Sequence, residues 1–170
     1  MLLVIPHNSI DFWYISFGEK TTNAIIEDGN YYSVLYITPD MSISVIHIGF
    51  TLKNITMISH FNKYRCSYNE TSEANQTTIN NLINIERGIL TRFNTKKRAV
   101  FRMPKVKELS TMNCFVNMVG IDPSVSVSAL VPELNIIMKV SGVWETEDEY
   151  GLIFKFFVPG KMNMRSLGDL

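Results

Sequence analysis

Six cationic side chains fall within twelve residues near the middle of this chain: Lys96, Lys97, Arg98, Arg102, Lys105 and Lys107. No acid interrupts them before Glu108, and Arg87 and Arg92 lie just upstream. Clustered Lys and Arg neutralise phosphates and release counterions, which gives affinity without sequence preference. A single strand adds base faces that stack on aromatic side chains. Tyr64, Tyr68, Phe101 and Trp144 are the aromatic candidates for that role. The competing reading is a solvated loop between a helix and a strand, with the aromatic residues in the core.

The charge is unevenly spread. Net charge is zero over 170 residues, from 16 basic and 16 acidic side chains. Residues 1–52 carry five acids and one Lys, whereas residues 53–107 carry eleven basic residues against Glu70, Glu73 and Glu86. The remainder is acidic again. The middle of the chain can therefore present a basic surface that the overall balance conceals.

Other chemistry is sparse. There is no G-x-S-x-G, phosphate-binding glycine loop, dinucleotide-binding glycine pattern or HExxH. His7, His47 and His60 lack ligand spacing, so no catalytic residue, metal or cofactor is expected and the chain does not read as an enzyme. Cys66 and Cys114 are read as free buried thiols in an intracellular protein, because no secretion signal or membrane-spanning run is evident.

The elements that must hold the basic segment read mainly as β, with one central helix. The clearest is a hairpin at 134–158. Leu134, Ile136, Met138 and Val140 share one parity, and Tyr150, Leu152, Phe154, Phe156 and Val158 share another, as half-buried strands do. The acidic run Glu145–Glu149 joins them. Trp144 and Tyr150 flank it, either packed across the hairpin or exposed for stacking. A basic partner for the acidic loop is also predicted, including Lys96–Arg98 of a second copy, which implies self-association.

Earlier strands are predicted at 10–17, around 24–26, at 31–38, 42–52 and 54–68, with a turn at Asp28-Gly29. Ile79, Leu82, Ile83, Glu86, Ile89, Leu90 and Phe93 recur at helical spacing, predicting a helix at about 75–93. Ser72 or Asn75 is its expected cap, and Gly88 is expected to mark close packing on the sheet. Strands at 98–103 and 113–121 follow. One domain is expected over 1–160, with a polar tail at 161–170.

Strands, one helix and a closing hairpin suit an OB-fold-like barrel with insertions, with the helix between the third and fourth strands. A β-sandwich or jelly roll is the alternative, and with it a capsid-type assembly subunit. Residues 139–156, KVSGVWETEDEYGLIFKF, resemble the C-terminal signature of single-stranded DNA-binding proteins of large DNA viruses. The helix pattern at Ile85, Glu86, Ile89 and Leu90 resembles theirs too. The resemblance implies an OB-like fold, sequence-independent coating of single-stranded DNA in viral DNA replication, and no cofactor. It extends to Gly142, Trp144, Gly151, Lys155 and Phe156. The acidic residues 147–149 depart from what a DNA-facing loop requires. DNA is favoured over RNA as partner, and no membrane is expected.

Overall fold

The computed structural model describes residues 2–22, 28–60, 63–68, 72–103, 114–118, 129–159 and 164–166. In chain order the elements are β1 (Leu2–Pro6), a 3-10 turn (Phe12–Tyr14), β2 (Ile15–Phe17), β3 (Thr21–Thr22), β4 (Asn30–Ile37), β5 (Ser42–Ser44), β6 (Ile46–His60) and β7 (Lys63–Tyr68). Then come α1 (Glu73–Phe93), β8 (Arg98–Val100), β9 (Cys114–Met118), β10 (Ala129–Glu145), β11 (Glu149–Val158) and β12 (Met164–Ser166). The fold is mainly β with one helix. Among the described residues no helix is long and apolar enough to cross a membrane.

Strand pairing runs β12-β1-β6-β7-β9-β11-β10-β4-β2, and the sheet is open at its two ends. The long strand β6 pairs with β7 and also with β10. It contains a left-handed residue, Asn54 at φ 53°, at the point where two separate strands were expected from the sequence. Val45, at φ 69°, instead separates β5 from β6 within the expected strand 42–52.

The hairpin forms as its parity predicts. On β6, Ile46, Ile48, Phe50 and Leu52 are buried; β10 adds Leu134, Ile136, Met138 and Val140, and β11 adds Leu152 and Phe154. Register places Ile48 opposite Met138 and Val140 opposite Phe154, so these side chains share one face. A bulge between Val140 and Gly142 then shifts the parity, and Val143 continues the buried row opposite Leu152.

Helix α1 covers this face with Ile79, Leu82, Ile83, Ile85, Ile89 and Leu90. Ser72 is the N-cap residue by backbone position but makes no side-chain cap bond. Asn75 ties the helix to β6 instead: its Oδ1 accepts from Lys53 N at 2.8 Å and its Nδ2 donates to Lys53 O at 2.9 Å. Asn94, left-handed at φ 48°, ends the helix by donating its N–H to Leu90 O. Gly88 does mark a close approach, but to the Phe12 ring of the 3-10 turn and not to the sheet.

Several expectations are corrected. Residues 10–17 form a short 3-10 turn followed by only three strand residues. The N-terminal LLVIP is a strand, paired in parallel with β6 and β12. The polar tail at 161–170 contains β12, which adds to the sheet through β1. The strand expected at 98–103 stops at Val100. Residues 24–26 lie outside the described residues, as do the ends of the strand expected at 113–121.

Gly142 sits in the bulge under the ring of Tyr31, whose hydroxyl crosses it to donate to Ser141 O at 2.8 Å. An added Cβ would also lie 2.5 Å from the backbone carbonyl oxygen of Tyr32, which cannot rotate away. Gly142→Ala is therefore expected to lower stability by about 1–3 kcal/mol, the range for overpacking, read as a reduced urea midpoint with an unchanged slope.

Candidate nucleic-acid interface

Two of the predicted cations, Lys97 and Arg98, are engaged by the hairpin loop. Lys97 Nζ lies 3.3 Å from Glu145 Oε1 and donates to Thr146 O at 2.6 Å. Arg98 pairs with Glu149, and its backbone N–H donates to Asp148 O. The acidic hairpin loop thus binds the basic segment of its own chain, and β8 lies parallel to the start of β11. A basic partner of the kind expected for the loop is found within the chain.

Glu145 anchors that contact. It is 8% exposed and accepts from Tyr32 Oη at 3.0 Å and Asn30 Nδ2 at 3.4 Å. Burial pushes its carboxyl up. The bonds from Tyr32, Lys97 and Asn30, with the charge of Lys97, more than offset this and hold it below the ordinary carboxylate range. The Tyr32 hydroxyl is raised in turn, first by burial and then by Glu145.

The other predicted cations separate. Arg87, Arg92, Lys96 and Arg102 are exposed on the helix side. Arg92 donates to Ile15 O and Trp13 O, and its guanidinium lies 5.4 Å from the centre of the Trp13 ring. Trp13 is 74% exposed, a surface aromatic that the sequence pattern places in a strand. Arg102 lies over Phe154 at 4.7 Å. Lys105 and Lys107 lie outside the described residues, and Tyr64, on β7, is described by its backbone alone. Tyr68 is buried, which leaves it no face for a base. Phe101 is half-buried against the core.

Glu86 fixes the backbone of this segment after β8. It is fully buried, and its two oxygens accept the backbone N–H groups of Arg102 at 2.8 Å and Met103 at 2.9 Å. Burial raises its carboxyl above the ordinary value despite those two bonds and the charges of Arg102 and Arg87.

The opposite face of the β6–β10–β11 sheet has a different composition. Lys139 faces Lys155 directly across β10 and β11, and faces His47 across β10 and β6. Both lysines are exposed. Like charges set directly opposite destabilise a sheet. Along these strands the nearest acids on the face, Glu133 and Glu149, lie well away toward the strand ends. The His47 ring is edge-on to Phe157 at 6.1 Å. Burial, and then Lys139, hold its pKa below the usual histidine value.

Further along the same face two aromatic rings lie on glycines. Tyr31 covers Gly142 and Trp144 covers Gly151, its cross-strand partner; an added Cβ on Gly151 would lie 2.7 Å from the indole Nε1. Trp144 therefore does not stack on Tyr150, which faces the other way and packs on Phe93. Both Tyr31 and Trp144 keep part of their surface in solvent. Lys155, Trp144, Gly142 and Gly151 thus come together on the outer face, whereas Phe156 points to the core side with Phe154.

Sequence reasoning missed Lys139, His47, Phe157 and Tyr31 as a group. The signal was present, because alternation put Lys139 and Lys155 on the polar side of each strand. Counting back from the hairpin loop, corrected for the bulge, brings them opposite. Among the described residues no cluster of three His, Cys, Asp or Glu side chains could hold a metal ion. Comparison with protein-family models, with curated proteins and with solved structures finds no match to this chain.

Proposed function

We propose that this protein binds single-stranded nucleic acid, with DNA favoured, along the outer face of β6, β10 and β11. The observation that carries the reading is the exposed Lys139–Lys155 pair, like charges held opposite each other with His47 beside them and no acid in the same row. Phosphates crossing the strands would relieve that repulsion and release counterions. The flat rings of Trp144 and Tyr31 on the same face offer base-stacking surfaces. Coating of single strands, as the C-terminal resemblance implies, needs no catalytic group.

The fold supports the same reading. Pairings run around β6, β7, β9, β11 and β10 and return to β6, a circuit compatible with a small five-stranded Greek-key barrel of the OB type. The helix falls between the second and third strands of that circuit, and not between the third and fourth.

The two tryptophans provide a direct test. In Trp13→Phe, Trp144 is the one remaining indole. Oligo-dT is expected to quench its emission, with an affinity that falls steeply as salt rises from 50 to 200 mM. Unchanged emission at low salt, or affinity indifferent to salt, would reject the proposal.

A further inference from the structure

We infer that the cavity at the foot of the same face receives one unstacked base of the bound strand. This rests on the proposed binding face and gives it a specific occupant. The cavity has a volume of about 540 Å³ and lies between β1, β6, β10 and the first turns of α1. Such a volume is in the range of small-molecule sites. Gly49 and Ile137 line it, and each stands two residues along its strand from His47 and Lys139 respectively. At about 3.3 Å per residue, the cationic row is roughly 7 Å from the cavity mouth.

The chemistry of the walls selects a neutral, planar, hydrogen-bonding group. Val4, Pro6 and Ile137 supply apolar surface. Lys53, the lining ammonium, stands opposite Glu133 in register, so the pair adds no net charge to attract a phosphate. The remaining groups are neutral donors and acceptors. Thr51 Oγ1 donates to Asn135 Oδ1 at 2.7 Å, which leaves the Asn135 amide N–H groups for a ligand. The Asn81 amide reaches His7 Nδ1 at 3.2 Å; with that amide donating, the His7 proton sits on Nε2 as a further donor. Thr78, 8% exposed, also lines the cavity and brings a hydroxyl that can both donate and accept. A nucleobase matches this mixture: apolar faces and an edge carrying both donors and acceptors.

The test compares oligo-dT with an abasic oligomer of equal length and charge, on the full chain and on the variants Asn135→Leu and Thr78→Val. The native protein is expected to bind oligo-dT at least tenfold more tightly than the abasic strand. Each variant should cut that ratio to about threefold or less while leaving the salt dependence of binding unchanged. Thr78→Val preserves shape, so it keeps the test valid if Asn135→Leu is poorly folded. Equal binding of the two strands by the native protein would overturn the cavity's role and base stacking on Trp144 and Tyr31, and leave phosphate binding by the face standing. A preference that survives both variants would also overturn it, placing base contact on Trp144 and Tyr31 instead. No binding of either strand at low salt would overturn the binding face and the cavity together.

Discussion

Lys155→Glu is expected to weaken oligo-dT binding by about tenfold at 50 mM salt while raising stability by about 0.5 kcal/mol. The two effects have one cause. Lys155 faces Lys139 across the strand pair. Replacing one lysine by glutamate turns a repulsive cross-strand pair into an attractive one, and such pairs are worth roughly 0.2–1 kcal/mol. The same change removes one phosphate contact and adds a repelling carboxylate. Loss of one contact should also lower the salt slope of binding by about 0.7, the increment for single strands. Affinity by fluorescence titration and stability by urea denaturation read the two signs separately. A variant that is both weaker in binding and less stable would point to simple misfolding. The triple change Arg87→Glu, Arg92→Glu, Lys96→Glu discriminates between the two surfaces. It should change oligo-dT affinity by less than about threefold if phosphates follow the outer sheet face. A loss greater than that of Lys155→Glu would return the interface to the helix side.

Glu86→Ala is expected to cost about 3 kcal/mol. Truncation strands the buried N–H of Met103, worth roughly 1–3 kcal/mol when left unsatisfied, and the part-buried N–H of Arg102. Glu86→Gln should cost less, because its carbonyl still accepts one of the two. The pH dependence separates the charge from the bonds. Burial raises the Glu86 carboxyl above its unfolded value. Between the unfolded and folded pKa values the native state therefore holds more protons than the unfolded chain. The contribution of this group to stability is then full below the unfolded value and is lost as pH rises through the folded one. His7 and His47 have values lowered from the ordinary 6.5 and act in the opposite direction as pH rises toward that value. The difference between native protein and Glu86→Gln isolates the carboxyl: the margin favouring the native protein should shrink as pH rises from 4 to 7.5. Urea midpoints measured across that range give the result, and a margin that grows with pH would contradict the assignment.

What could be read in the sequence was local. The row Leu134–Val140 and the row Tyr150–Val158 each lie against one apolar core, so a period of two was visible on both sides of the loop. Helix α1 was visible because its buried residues repeat at three and four. What escaped was set by distant partners. β1 is five residues long and exists because β6 and β12 flank it. β6 was read as two strands because nothing in the residues around Asn54 shows that its left-handed turn is accommodated by Asn75 holding Lys53. The basic segment looked free because the carboxylates that neutralise Lys97 and Arg98, Glu145 and Glu149, lie some fifty residues away in sequence. The outer face escaped for the reverse reason. Lys139 and Lys155 look like ordinary solvent-side residues of two strands until register sets them opposite each other.

The two glycines beneath aromatic rings differ in what history allows at each. Above Gly151 the close obstacle to a larger residue is the Trp144 side chain, which can itself be replaced. A lineage could acquire a side chain there in two steps, first a smaller residue at Trp144 and then growth at Gly151, with the reverse order blocked. Above Gly142 the obstacle includes the carbonyl oxygen of Tyr32, part of the main chain. No substitution at Tyr31 removes it. Position 151 is therefore contingent on its neighbour, whereas position 142 is fixed as long as the bulge persists. In diverged copies of this chain, Gly151 and Trp144 should vary together, and Gly142 should remain while the ring above it changes.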